Sequence, residues 1–247
     1  MLSEAEIERR RGRPWTLRVT DAFDVTPQMR RVQLTADNLD EFTPKPAQEI
    51  VLQIPQSDGE PARRHYTIRR YDPAKKLIEV DFVLHGHATP GVSWSLSARP
   101  GDTIDIRGPR GRIGLDPAAD WHLFIGDETC IPAISALVEA LPKGARAAAL
   151  IEIGSETDKV SPATGAELDL TWLLRANAEP GPSDLLLNAL KGCVFPSGKG
   201  HAVVIGETSN VRQLRHALLE RGFDKSQIYA EGYWRPGRIG GHDHVNE

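Results

Sequence analysis

Apolar residues recur at every second position through the first half of the chain and in longer unbroken runs through the second. In "WTLRVTDAFDV" (15–25), "MRRVQLTA" (29–36), "EIVLQIP" (49–55), "RHYTIRRYD" (64–72), "KLIEVDFVLH" (76–85) and "DTIDIRGPRG" (102–111) the pattern is that of short β-rich segments, separated by Pro, Gly, Asp and Asn. Several short strands at this spacing predict a small antiparallel barrel. Near residue 117 the pattern changes. Strand-like runs "WHLFIGDE" (121–128), "ARAAALIEIG" (145–154), "LDLTWLLR" (168–175), "GHAVVIGE" (200–207) and "SQIYAEGYW" (226–234) now alternate with the helical runs "IPAISALVEAL", "SDLLLNALKG" and "NVRQLRHALLERG". That alternation predicts an α/β domain with a parallel sheet and crossover helices. Residues 1–117 and 118–247 are therefore read as two domains, with Ser183 as the N-cap of the helix that follows it and the tail "GGHDHVNE" as loosely held.

Composition narrows the function. Thirty basic and thirty-four acidic residues leave a net charge of −4, so nothing global suggests a nucleic-acid binder, and any basic site must be local. Apolar runs such as "AAALI" (147–151) fall far short of the ~20 residues a membrane span needs, and no secretory h-region is visible. The two cysteines, Cys130 and Cys193, form no CxxC pair and read as reduced, structural side chains. The expectation is a cytoplasmic monomer that needs no protein-bound metal. The His-bearing "HGH" (85–87) and "GHDH" (241–244) imitate metal spacing but lie in an expected phosphate loop and in the tail.

"RRHYTIRRYD" (63–72) places an aromatic and a hydroxyl among basic side chains. Arg64 offers a planar fork for a phosphate, Tyr66 a flat ring for a flavin, and Thr67 a hydroxyl for the polar edge of that ring. Strand alternation sends residues 64 and 66 to one face, which suits one elongated ligand; a solvated strand is the plainer reading. His85-Gly86, a Pro- and Gly-bearing turn and "VSWSL" then bring backbone N–H groups to a short helix start, a cradle for pyrophosphate. "GDETCIP" (126–132) holds a single glycine where a dinucleotide fold would show a glycine-rich turn. Thr129 there is read as facing a flavin or capping a helix. Glu152 is read as a ribose contact or a solvated strand end, and Tyr233 and Trp234 as aromatic flavin covers or core.

In order along the chain, "RHYTIR", "HGHATPGVSWSLSARPGD", "GPRG", "FIGDETCIPAISALVEALP", "GETSNVRQLRHAL" and "GYWRPG" resemble the siderophore-interacting proteins, a flavin-binding branch of the ferredoxin reductase superfamily, over roughly residues 14–238. The resemblance implies a Greek-key barrel holding FAD, an NADP-type domain behind it, and reduction of ferric siderophores that releases iron in the cytoplasm. NADH, NADPH or a small iron–sulfur protein such as ferredoxin would supply electrons. It places Arg64, Tyr66, Thr67, His85 and Gly86 in the flavin site, with Gly91, Val92 and Ser93 on the pyrophosphate and Thr129 and Trp234 near the ring. Val92 departs from the family, where a hydroxyl is usual, and "AQEIVLQIP" (47–55) has no lysine where relatives often carry one for the anionic siderophore. Substrate capture then falls to Lys45, Arg110, Arg235 and Arg238. A flavin reductase feeding an oxygenase, and a flavoprotein that binds a siderophore or redox partner without turnover, are the alternatives.

Overall fold

The computed structural model describes residues 12–57, 59–84, 89–176, 178–238 and 243–245, and the chain divides into two compact units after Gly114. In the first, β1 (Arg13–Thr26), β2 (Met29–Thr35), β3 (Glu49–Ile54), β4 (Ala62–Asp72), β5 (Leu77–Val83) and β6 (Thr103–Arg110) form a closed barrel in the order β1-β2-β5-β4-β3-β6. Every pairing is antiparallel. β6 returns beside β3 after the β3-β4-β5 meander, which is the Greek-key arrangement. The alternation is obeyed: Leu17 and Val19, Val32 and Leu34, Ile50 and Leu52, and Ile78, Val80 and Phe82 all point into the barrel and are buried. The β5–β6 connection carries helix α1 (Pro90–Ser97), tied to β2 by Arg30, whose Nε donates to the Ser95 carbonyl at 2.8 Å.

The second unit contains β7 (Trp121–Asp127), α2 (Ile131–Glu139), β8 (Arg146–Ile153), β9 (Glu167–Leu174), α3 (Leu185–Gly192), β10 (Gly200–Glu207), α4 (Thr208–Glu220), β11 (Ile228–Trp234) and β12 (Asp243–His244). The sheet order is β12-β11-β10-β7-β8-β9. Strands β11 through β9 are parallel, and β12 adds antiparallel to β11. β7 and β10 are buried along their whole length because helices cover both faces, whereas the edge strand β9 alternates with solvent. Leu123, Ile125, Leu190, Val204, Leu214 and Leu218 belong to one core on one face. The tail is not loose throughout. Glu231 and Gly232 of β11 pair with His244 and Asp243, and Val245 is buried. Nor does Ser183 cap α3: Asp184 occupies the N-cap, and the Ser183 hydroxyl donates instead to Glu152 at 2.6 Å. Both cysteines are free thiols, Cys130 buried and Cys193 half-buried.

His122 and His201 stand opposite each other on β7 and β10, both buried, with ring centroids 5.6 Å apart. Neither Nδ1 has a hydrogen-bond partner among the described residues. Burial, reinforced by the charges of His122 and Lys199 and opposed by Asp116, depresses His201 to about 4; burial likewise lowers His122 against the pull of Asp116. Groups depressed in the folded state contribute stability that is full above the unfolded pKa of ~6.5 and is lost as pH falls toward the folded value. The urea midpoint of the wild type should therefore drop more between pH 7 and pH 5 than that of His201→Leu. Parallel pH profiles for the two proteins would show that this pair is not the acid-sensitive element.

Candidate functional site

The register of β3 and β4 sets the first part of the site. Arg64 faces Leu52 and Tyr66 faces Ile50, so the two lie on one face, as the alternation requires. Arg64 is half-buried and donates to its neighbour's carbonyl at 2.8 Å. The half-buried Tyr66 ring leans on Phe82 at a centroid distance of 4.2 Å, and Phe82 in turn meets Trp94 of α1 at 5.6 Å. Burial, partly countered by the Arg64 charge, pushes the Tyr66 hydroxyl up to about 12, so it is a neutral donor at physiological pH. Gly91 at the start of α1 is required by this approach: a Cβ there would lie 1.9 Å from Tyr66 Oη. Tyr66 thus meets the start of α1, with Arg64 close enough for its charge to act on the phenol, a donor set that fits a cofactor with an aromatic ring and a pyrophosphate.

The remaining flavin residues are distributed less simply. Gly91 and Val92 are buried, while Ser93 is exposed and its amide donates to Thr89 O at 2.9 Å. The Ser93 amide is therefore already engaged within the helix, which removes it from the expected phosphate cradle. His85 and Gly86 lie outside the described residues. Thr67 sits on the opposite face of β4 from Tyr66, paired with Glu49. Glu49 is the centre of a polar group the motifs did not reveal. Its Oε1 lies 2.8 Å from His65 Nδ1 and 3.1 Å from Arg110 Nε. Lys45 is exposed, and Gln48 links its amide to the Gly111 carbonyl beside Arg110. Lys45 and Arg110 are thus brought to one region of the barrel, with the Arg110 charge partly neutralised. Arg63 points away from Arg64 and lines a separate hollow of about 490 Å³ with Thr16, Gln53, Asp105 and Arg107.

In the α/β unit the organising residue is Asp127, at the carboxyl end of β7. It is buried and receives the Thr129 amide at 2.9 Å, the Thr129 hydroxyl at 2.5 Å, the Glu207 amide at 2.9 Å and Trp234 Nε1 at 2.9 Å. Burial and the charge of Glu128 raise Asp127 to about 6, against the bonds from Thr129 and Trp234. Thr129 and Trp234, expected near the flavin, are joined through this carboxylate. The cap of the turn after β7 is Asp127, with Thr129 as its donor. Tyr233 is half-buried at the end of β11 beside Trp234.

Glu152 is neither solvated nor open to a ribose. It is 1% exposed, 3.3 Å from Arg175 and hydrogen-bonded by Ser183. Arg175 also grips Glu128 with both terminal nitrogens, at 2.7 and 2.5 Å. Burial alone would depress this guanidinium, but Glu128 and Glu152 outweigh it and raise it. The two C-terminal arginines share one acid: Arg238 bonds Asp243 directly and Arg235 Nε lies 3.7 Å from it. Asp243 also accepts from Thr208 at 3.0 Å, and although its slight burial pulls upward, these partners hold its carboxyl below the ordinary range.

A closed Greek-key barrel followed by a five-strand parallel sheet is a ferredoxin-reductase-like fold. The comparisons agree. Residues 44–113 match the siderophore-interacting FAD-binding domain and residues 119–237 the siderophore-interacting protein family. The chain is 33% identical over 208 residues to ferric vibriobactin reductase ViuB of Vibrio cholerae, an alignment covering 80% of this chain and 76% of that protein. A siderophore utilization protein from T. fusca superposes with a TM-score of 0.85 at 31% identity, covering 94% of this chain and 96% of that one. A ferredoxin NADP+ reductase from Neisseria gonorrhoeae shares the fold, with a TM-score of 0.66 at 14% identity over 90% of this chain and 99% of that one. The chain belongs to the siderophore-interacting protein family, and its cofactor is FAD. Among the described residues no helix is long and apolar enough to cross a membrane.

Proposed function

We propose that this protein is a ferric-siderophore reductase that uses FAD and NAD(P)H to reduce chelated Fe(III) to Fe(II), releasing the metal in the cytoplasm. The observation that carries the reading is Tyr66 set against the first turn of α1 with Arg64 alongside, in a chain of the siderophore-interacting family. FAD, when bound, takes an electron pair from a nicotinamide and returns electrons singly, which a one-electron acceptor such as Fe(III) requires. Arg64 would balance the pyrophosphate charge, Tyr66 would carry the ring, and the buried Gly91 and Val92 of α1 would exclude water beside it. The hard oxygens of a siderophore suit the trivalent ion, so the reduced ion is held far less tightly and leaves. The membership supports the substrate class; ferredoxin is the alternative donor.

The test is anaerobic: bleach the flavin with NADH, NADPH or reduced ferredoxin, then add a ferric siderophore and follow the return of colour together with capture of Fe(II) by a ferrous chelator. Bleaching without reoxidation by any ferric chelate would defeat the reductase reading. Lys45, Arg110, Arg235 and Arg238 are the proposed cationic contacts for an anionic chelate. Because Asp243 neutralises two of them, its removal has a sign opposite to theirs. Arg235→Ala or Arg238→Ala should raise KM for the chelate severalfold, matching ~1 kcal/mol for a partly solvated charge, while Asp243→Asn should lower it. Both shifts should shrink at high salt. Equal KM values in all three variants would move the substrate away from this segment, toward Lys45 and Arg110.

A further inference from the structure

The strand order places the switch point of the sheet between β7 and β10, since the chain runs outward from β7 through β8 and β9 on one side and from β10 to β11 on the other. In open α/β sheets this is where ligands settle, and the amino ends of the helices that start there, α2 and α4, are where a dinucleotide's pyrophosphate is ordinarily held. Here the protein's own carboxylates occupy the turn that precedes α2 and the start of α4. Asp127 accepts the amide of Thr129 in the turn that leads into α2. Glu207 closes α4, its Oε2 accepting the Asn210 amide at 2.9 Å. The two acids are neighbours, the Glu207 amide bonding Asp127 Oδ2. Trp234 covers Asp127, and Gly206 carries a positive φ of 131° with its Cα side against the same carboxylate, where a Cβ would come within 2.6 Å.

The charge around this point is one-sided. Glu128 and Glu152, at the ends of β7 and β8, share Arg175, which leaves Asp127 and Glu207 with no cation paired to them among the described residues. Glu207 is 1% exposed, and its Oε1 is buried without a hydrogen-bond partner among those residues. An unbalanced buried carboxylate at a helix start takes the place of a bound anion and repels a second one.

We infer that Asp127 and Glu207 are specificity-determining residues that exclude a pyrophosphate from the switch point and so hold the affinity for nicotinamide dinucleotides low. This rests on the reductase reading, in which the α/β unit meets the electron donor, and it assigns the weakness of that encounter to two named side chains. A donor engaging this unit must present no anion at the switch point.

Glu207→Gln is the cleanest test, because the amide oxygen keeps the bond from the Asn210 amide and only the charge is lost; Glu207→Ser, a good helix cap, is the second variant. FAD-loaded protein is titrated with NADP+, which does not react, by calorimetry at low salt. Both variants should bind about tenfold more tightly than the wild type, with the gap closing as salt is raised. In the wild type itself, added salt should leave the NADP+ affinity unchanged or increase it. Affinities equal within twofold in a folded variant, or a wild-type affinity that falls steeply with salt, would overturn the inference. The reductase reading is checked separately in the same samples: dithionite-reduced flavin should be reoxidised by a ferric siderophore at one rate in all three proteins, and failure there counts against that reading alone.

Discussion

Replacing Arg175 with methionine should lower the stability of the α/β unit by roughly 3–5 kcal/mol, the usual cost of removing one partner of a buried ion pair. The reason is the company it keeps. Its side chain is 4% exposed, and it lies against Glu128 and Glu152, whose side chains are 15% and 2% exposed. Without the guanidinium both carboxylates stay buried at the ends of adjacent parallel strands and must either take up protons or open the structure to water. Methionine fills the volume, so the loss reports charge and not packing. Arg175→Lys should fall between, since an ammonium keeps the charge but not the fork that reaches Glu128 with two nitrogens. Urea unfolding followed by tryptophan fluorescence measures the difference, and the melting temperature should drop by roughly 10 °C. A variant that unfolds at the wild-type midpoint at neutral pH would mean the two acids need no counter-ion.

This triad marks the boundary of what the sequence discloses. The strands and helices are readable because their signals are local: alternation in β2 and β5, and an unbroken apolar run in β10 that only a doubly covered parallel strand tolerates. That Tyr66 and Arg64 share a face is readable for the same reason, since they are two positions apart on one strand. Glu152, Arg175 and Ser183 belong to separate segments, and only the parallel packing of β8 beside β9 brings the first two together. A carboxylate at the end of a strand looks alike in sequence whether it faces water, a ribose or a buried arginine. Asp127 is hidden in the same way, for the donors that define it come from β10, β11 and the turn that follows it. Asp243 is hidden because its neighbours are glycine and histidine, a composition that reads as a tail, although the β11 residue that receives it, Gly232, lies close by in sequence. Thr67 is a different case: a motif groups it with Tyr66, while strand alternation puts it on the other face, opposite Glu49.

Gly91→Ala should weaken FAD binding about ten- to hundredfold, the range that corresponds to ~1–3 kcal/mol of overpacking. Nothing in the backbone forbids alanine at this position, and helix propensity by itself favours it over glycine by ~1 kcal/mol. The obstacle is one side chain. An added Cβ would lie 1.9 Å from Tyr66 Oη, 2.9 Å from Cζ and 3.2 Å from Cε2, so the ring must move. It has little room to do so, because Phe82 backs it at 4.2 Å and Trp94 braces Phe82 at 5.6 Å. The displaced ring can no longer present the surface on which the flavin would stack, and it no longer holds its hydroxyl at the start of α1. Tyr66→Phe should be mild alone, since it keeps the ring, and in the Gly91→Ala background it should restore part of the affinity by deleting the atom that clashes most. Fluorimetric titration of the apoprotein with FAD gives the affinities, and circular dichroism shows whether the barrel is intact. If Gly91→Ala takes up FAD as the wild type does, the flavin does not rest on Tyr66 beside α1, and the reading of this end of the barrel as its seat fails.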